Sequence, residues 1–492
     1  MAQLTFPTTT LPKLEAAGTR IDADVLIVGV TAGAGTNEAP APVLMTDAHP
    51  EQSVREALTA QLAALGVSGK VGEAKVLPAS DAETTGAPVI IAAGLGETAT
   101  ATSIRRAAGA AARAARALKP QRVATTLSLS DSAAAAEGLA LGWYDYPGEK
   151  KEAKPAQDVT FLLAGDTDPK ESTAIARAVF LARDLVNTAS SSLYPETYAE
   201  AVRSLATAET LTVEVLAEDE LKAEGFGGLL AVGLGSSRGP RLVRVEYAPR
   251  AAKRHVALVG KGITFDTGGI SLKPGANMEE MISDMGGSAV VLGTVLAAAE
   301  LELDVKVTAY LCMAENMPSG TAYRPGDIVT NYGGLTTEIL NTDAEGRMVL
   351  ADGIARAAED QPDLLIDTAT LTGAQMVALG AKTAGVMGTE AARERVTSAY
   401  NEVDEAAWAM PIPEEAKESV KSPVADLRNV TGNRNAGMLA AAAFLQSFVP
   451  EGMEWAHVDI AGPAWNDGGA EGFLPARATG FGVRGMLSAI RN

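Results

Sequence analysis

Two stretches of this 492-residue chain gather acids and bases among glycines. The first reads Val-Gly-Lys-Gly-Ile-Thr-Phe-Asp-Thr-Gly-Gly-Ile-Ser-Leu-Lys over 259–273, with Met-Ile-Ser-Asp-Met-Gly-Gly following over 281–287. The second is Asn-Thr-Asp-Ala-Glu-Gly-Arg-Met over 341–348. Their carboxylates are Asp266, Asp284, Asp343 and Glu345. Any one of these alone reads as a cap or a surface charge. Asp343 and Glu345 are two apart, so an extended backbone would point both to one side, with Arg347 after them. A helix starting near Arg347 would aim its positive end at the same spot. If all four acids converge, like charges about 4 Å apart repel by several kcal/mol at an intermediate dielectric. Two divalent cations would balance such a cluster, and oxygen ligands suit Zn, Mn, Mg or Co to differing degrees. A metal pair about 3.5–4 Å apart is a common device for hydrolysis by a bridged water. Lys261 and Lys273 flank Asp266; taken by themselves, they read as surface ion pairs.

Other chemistries fit less well. The chain has three histidines, His49, His255 and His457, and no His-Glu-x-x-His helix, so a histidine-rich zinc site is not expected. Gly-Ser-Ser-Arg-Gly over 235–239 matches the pattern of a serine-hydrolase elbow. That elbow needs a strand, a sharp turn and a helix. Here Pro240 and a β-like run follow, so a loop before a strand is the better reading. Gly260-Lys261-Gly262 lacks the other residues of a phosphate-binding loop, and Gly29, Gly33 and Gly35 lack dinucleotide spacing.

The elements around these motifs alternate. Apolar, β-branched runs at 24–30, 88–93, 123–127 and 159–163 are separated by helical patterns such as 53–65 and 101–118. That order predicts an α/β fold with a largely parallel sheet. A helix is expected over about 170–187, with a domain boundary near its start. The alternation then resumes, with strands at 242–247, 255–259, 305–312, 364–369 and 455–460 and helices at 287–301, 347–359 and 438–448. The two motifs thus fall at strand ends or in the loops after them, where α/β sheets bind ligands. The Ala-rich stretch 107–117, with Arg105, Arg106, Arg113 and Arg116, reads as a solvated helix face.

Composition bounds the classes. Apolar residues make up 47% and charged residues 21%, which is globular and not disordered. A net charge of -20 argues against a sequence-independent nucleic-acid binder. The single Cys312 excludes an intramolecular disulfide and fits a reducing compartment. The first twenty residues lack a secretory pattern, and no run of eighteen apolar residues predicts a membrane span. The expectation is a cytoplasmic globular protein.

Lys261, Asp266, Lys273 and Asp284, with Asn341 to Arg347, resemble the signature of the leucyl aminopeptidase family, the dinuclear metallopeptidases also called cytosol aminopeptidases. Ala-Thr-Leu-Thr-Gly over 369–373 and Trp-Ala-His-Val-Asp-Ile-Ala-Gly over 455–462 extend the likeness, which spans roughly 184 to the end. The resemblance implies two metal ions per subunit, zinc or manganese, held by Lys261, Asp266, Asp284, Asp343 and Glu345. Lys261 would ligate as the neutral amine. Lys273 would polarise the scissile carbonyl, and Arg347 would hold a bicarbonate acting as general base. Met281, Thr370, Gly373 and Ala461 would line the pocket for the first side chain, with Leu371 offering its backbone. The implied activity is release of N-terminal, leucine-like residues from peptides. Alternatives are a dipeptidase, for example for Cys-Gly, or a non-catalytic DNA-binding regulator. The implied architecture is α/β in two domains: a smaller N-terminal one over 1–170 and a larger catalytic one with a central mixed sheet over 171–492. A homohexamer is implied as well; the net charge of -20 and the lack of a long apolar run, not the resemblance, argue against nucleic-acid and membrane partners. Two stretches depart from the family pattern: Asn-Thr-Ala-Ser-Ser over 187–191, and the glycine-poor loop 432–439.

Overall fold

A computed structural model describes residues 8–18, 21–33, 42–152, 157–433 and 435–491. Gly35 and one residue of the loop 432–439 lie outside the described residues. The described residues form two units, one within 8–180 with 467–477, the other within 181–466 with 478–491. The division falls inside the helix Lys170–Asn187, ten residues after its start, and a short C-terminal stretch joins the first unit.

The first unit is built on a seven-stranded sheet. Lys13–Gly18, Thr160–Ala164, Arg122–Thr125, Val25–Ala32 and Val89–Gly94 run parallel in that spatial order. Ala74–Pro78 and Pro42–Leu44 pair antiparallel at the side. The first six residues of Val25–Ala32 are buried throughout, as a parallel strand covered on both faces requires. The Ala-rich helix Ala101–Arg116 does not present a solvated face. It lies against Ser132–Trp143 so closely that a Cβ on Gly142 would stand 2.3 Å from the Gly109 carbonyl oxygen. Alanine and glycine are there because backbones touch. Arg105 is buried on Glu137 at 2.9 Å, and Arg116 donates to the carbonyls of Trp143 and Tyr144. Those arginines are held by the protein, and the charge run misled because helix period alone does not reveal a neighbouring helix.

The second unit contains an eight-stranded mixed sheet. Its order is Ala407–Ala409, Ala384–Gly388, Trp455–Asp459, Leu364–Ala369, His255–Asp266, Lys306–Asn316, Arg241–Tyr247 and Leu211–Leu216. The four strands from Trp455–Asp459 to Lys306–Asn316 are mutually parallel, so their C-terminal ends share one edge. The central strand runs to Asp266, well past the expected end at Val259. Its glycines suggested a loop, but they let the helix Gly286–Glu300 sit directly on the strand. A Cβ on Gly260 would lie 2.6 Å from Ser288 Cα, and one on Gly287 would lie 2.1 Å from the Thr368 carbonyl oxygen. Lys261 therefore projects from inside a strand and not from a loop. Among the described residues one helical stretch, Met278–Glu300, is long and apolar enough to cross a membrane, but its apolar part is 83% buried within the protein, as in a core helix. A small sheet of Ile328–Thr330, Thr336–Glu338 and Leu427–Arg428 lies beside the second motif. The Gly235–Gly239 stretch is a bend leading into Arg241–Tyr247, as expected, and Ser236 and Arg238 are occupied by Glu315.

Candidate metal centre

The acids and lysines converge at the C-terminal edge of the parallel strands, where an α/β sheet places its ligands. Lys261 and Asp266 come from the central strand, Asp284 from the 3₁₀ helix Met278–Met285, and Thr370 from the residue after Leu364–Ala369. Asp343 and Glu345 do converge, but not along an extended backbone. Residues 342–343 form a turn, Glu345 already has helical dihedrals, and the helix Gly346–Glu359 starts at once. One oxygen each of Asp266, Asp343 and Glu345 lies within 4.8 Å of the others.

The lysines stitch the acids together. Lys261 Nζ lies 2.7 Å from Asp284 Oδ1 and 2.8 Å from Glu345 Oε1, and donates to the Thr370 carbonyl at 2.9 Å. Lys273 Nζ lies 2.8 Å from Asp266 Oδ2 and 2.5 Å from Asp343 Oδ1. Lys261 is buried, whereas the Lys273 side chain keeps 22% of its surface open. Asn316 Nδ2 bridges the two motifs, donating to Asp266 Oδ1 and to the Thr342 carbonyl. Gly268, at φ +84°, makes the turn between Asp266 and Lys273 that an L side chain would strain.

Four carboxylates face two ammonium groups, so negative charge remains in excess. Burial, then the charge of Glu345, pushes Asp266 up to about 6. Burial raises Asp284 well above the usual carboxylate range and raises Asp343 against the pull of Lys273. Glu345 goes the other way: burial would raise it, but Lys261 and Lys273 together hold it low. Burial would lower Lys261, and Asp284, Glu345 and Asp266 overcome this and raise it. Asp284 Oδ2 and Glu345 Oε2 are buried with no hydrogen-bond partner. Unpartnered buried oxygens in an overcharged acidic cluster are what divalent cations satisfy, so the residues fit a metal pair.

Gly346 is fixed by this geometry. A Cβ there would stand 2.5 Å from Lys261 Cε and 2.7 Å from its Nζ. Gly346→Ala is expected to push Lys261 off the acids and reduce metal uptake at least tenfold (about 1.4 kcal/mol), with secondary structure kept. Titration of the purified variant with manganese checks this, and wild-type uptake would refute it.

Of the remaining expected residues, Thr370 bonds directly to an acid of the cluster. Arg347 is buried and donates to the Asn429 carbonyl at 2.6 Å, its Nε has no partner, and burial lowers its guanidinium to about 10. Thr370 Oγ1 donates to Asp284 Oδ1 at 2.8 Å. The backbone N–H groups of Leu371 and Ala461 both donate to Asp459 Oδ1, while Thr372 holds its other oxygen. A Cβ on Gly373 would meet nothing within 4 Å, and Met281 is half-buried on the 3₁₀ helix that carries Asp284. No histidine joins the cluster; His457 is buried against Asp367 at 2.5 Å. Asn316, Asn429 and Asp459 are supporting residues that sequence reasoning missed. The one available signal was a polar residue ending an apolar strand, at Asn316 and Asp459.

The family description "Cytosol aminopeptidase family, catalytic domain" matches residues 180–487, and its N-terminal domain matches 27–153. The chain belongs to the cytosol aminopeptidase family. It is therefore an aminopeptidase, a hydrolase of a metal-dependent family, and neither the dipeptidase nor the non-catalytic alternative is favoured. It is 52% identical to a probable cytosol aminopeptidase of Corynebacterium diphtheriae over 481 residues, covering 96% of this chain and 94% of that one. Among solved structures it is similar to the bottromycin maturation enzyme BotP in complex with Mn. That match has a TM-score of 0.83 and 35% identity, and covers 95% of this chain and 99% of the other. A tomato leucine aminopeptidase mutant superposes with a TM-score of 0.86 at 30% identity, covering 99% and 98%.

Proposed function

We propose that this cytosol aminopeptidase removes leucine-like residues from peptide N-termini by two-metal-assisted hydrolysis at the cluster around Asp343 and Glu345. The observation that carries the reading is the surplus of buried carboxylate, with Asp284 Oδ2 and Glu345 Oε2 unpartnered. Lys261, Asp266, Asp284 and Glu345 would hold one ion, and Asp266, Asp343 and Glu345 the other. Two divalent ions, zinc or manganese, would supply Lewis acidity and favour the neutral amine of Lys261. Lys273, at the open side of the cluster, donates to the scissile carbonyl oxygen as charge develops there. Arg347, with its buried unpartnered Nε, would hold bicarbonate, since no histidine is present to take the proton. Leu371 presents its backbone to the substrate, and Met281, Thr370, Gly373 and Ala461 shape the space for the first side chain.

A cytoplasmic location accords with the single buried Cys312. A homohexamer follows from the family resemblance, and a sedimenting mass of one 50.5 kDa chain would overturn it. The direct test of the function is leucine p-nitroanilide hydrolysis with metal content measured before and after chelation. Activity is expected to vanish on chelation and to return with manganese or zinc. Equal activity of the chelated and loaded protein would defeat the reading.

A further inference from the structure

We propose that Asn429 is a positioning residue that sets the place of Asp343 and Arg347 together, from more than eighty residues away in the chain. This rests on the two-metal reading above. Asn429 follows the short strand Leu427–Arg428, which pairs in parallel with Thr336–Glu338. That ladder delivers it to the segment just before the second motif, where its N–H donates to the Glu338 carbonyl at 3.0 Å. The residue is fully buried.

Its side chain grips three backbone groups in a row. Oδ1 accepts from Leu340 N at 2.8 Å and Asn341 N at 3.3 Å, and Nδ2 donates to the Asn341 carbonyl at 2.6 Å. Asn341 passes the constraint on, because its own Oδ1 accepts from Asp343 N at 2.9 Å. The Asn429 carbonyl meanwhile accepts from Arg347 at 2.6 Å. One residue therefore ties the turn that carries a metal-binding acid to the arginine on the following helix. Loosening it would let Asp343 and Arg347 move independently, although neither is altered. Ligand-orienting residues of this kind typically contribute about 10–100-fold to metal affinity or activity.

Two variants and one control test this. Asn429→Ala removes all three side-chain contacts and leaves the carbonyl that holds Arg347. Asn429→Asp keeps shape and both acceptor contacts but loses the donor to Asn341, so it remains informative if the alanine variant does not fold. The control is Asp426→Ala on the same ladder, where the carboxylate accepts from Thr336 N and Oγ1 at the exposed end, away from the motif. For each, kcat and KM for leucine p-nitroanilide and the affinity for manganese are measured on folded protein. For both Asn429 variants kcat should fall about 10–100-fold with KM nearly unchanged, and manganese should bind more weakly. The control should lose thermal stability only. Wild-type kcat and manganese affinity in folded Asn429→Asp would overturn the proposal, as would an equal kcat loss in Asp426→Ala. Chelation of the wild type separates the two levels. A metal-indifferent wild type defeats the underlying reading, whereas a metal-dependent wild type with unaffected variants defeats only the role of Asn429.

Discussion

Glu345→Gln should lose about three orders of magnitude or more in turnover on leucine p-nitroanilide, equivalent to at least ~4 kcal/mol of barrier. The substitution preserves volume, so the protein should stay folded. It takes one negative charge from the cluster at the residue that faces most of it. Oε1 lies 2.8 Å from Lys261 Nζ, and Oε2 is buried without a partner. A carboxamide must either turn its NH₂ toward the lysine, setting donor against donor, or leave that NH₂ in the place of the oxygen available to a cation. Both choices weaken the hold on metal. Circular dichroism should match the wild type while metal content falls. Turnover within tenfold of the wild type would remove Glu345 from the site.

Lys273→Ala should cost about 10²–10³-fold in kcat, the range seen when one donor to a developing oxyanion is removed. Here the metal should remain. Lys273 is a cation and opposes, if anything, the binding of others. Its side chain reaches between Asp266 and Asp343 from the open side, at 2.8 and 2.5 Å. Deleting it unbalances the acids further and should leave manganese affinity equal or higher. The two variants therefore separate two jobs in one cluster, with metal lost in the first and retained in the second. A Lys273→Ala enzyme with near-normal kcat would end the electrophile assignment.

The residues that converge were legible in the sequence because they are concentrated in short motifs. The spacing of Lys261, Asp266, Lys273 and Asp284, and of Asp343, Glu345 and Arg347, is local. The helix Lys170–Asn187 and the strand Leu364–Ala369 were also readable, since their periodicity needs no partner. What failed depends on distant contacts. The glycines of the central strand looked like a loop until Ser288 was seen against Gly260. The arginines of Ala101–Arg116 looked solvated because Glu137 and the carbonyls of Trp143 and Tyr144 lie elsewhere in the chain. Asp343 and Glu345 were expected to share a side by strand alternation. They share it because a turn enters a helix, which the spacing of two cannot distinguish. Asn429 offered no signal, being one asparagine among loop residues until the ladder to Thr336–Glu338 placed it.

Asp459 has a consequence for how the enzyme can diversify. It holds the main-chain N–H groups of Leu371 and Ala461, the positions proposed above to meet the substrate, and it is itself buried. Side-chain identity at these positions is thus uncoupled from the backbone path that carries them. At Gly373 an added Cβ would meet nothing within 4 Å. If the proposed pocket holds, point changes at 373 and 461 should shift substrate preference while the backbone held by Asp459 stays in place.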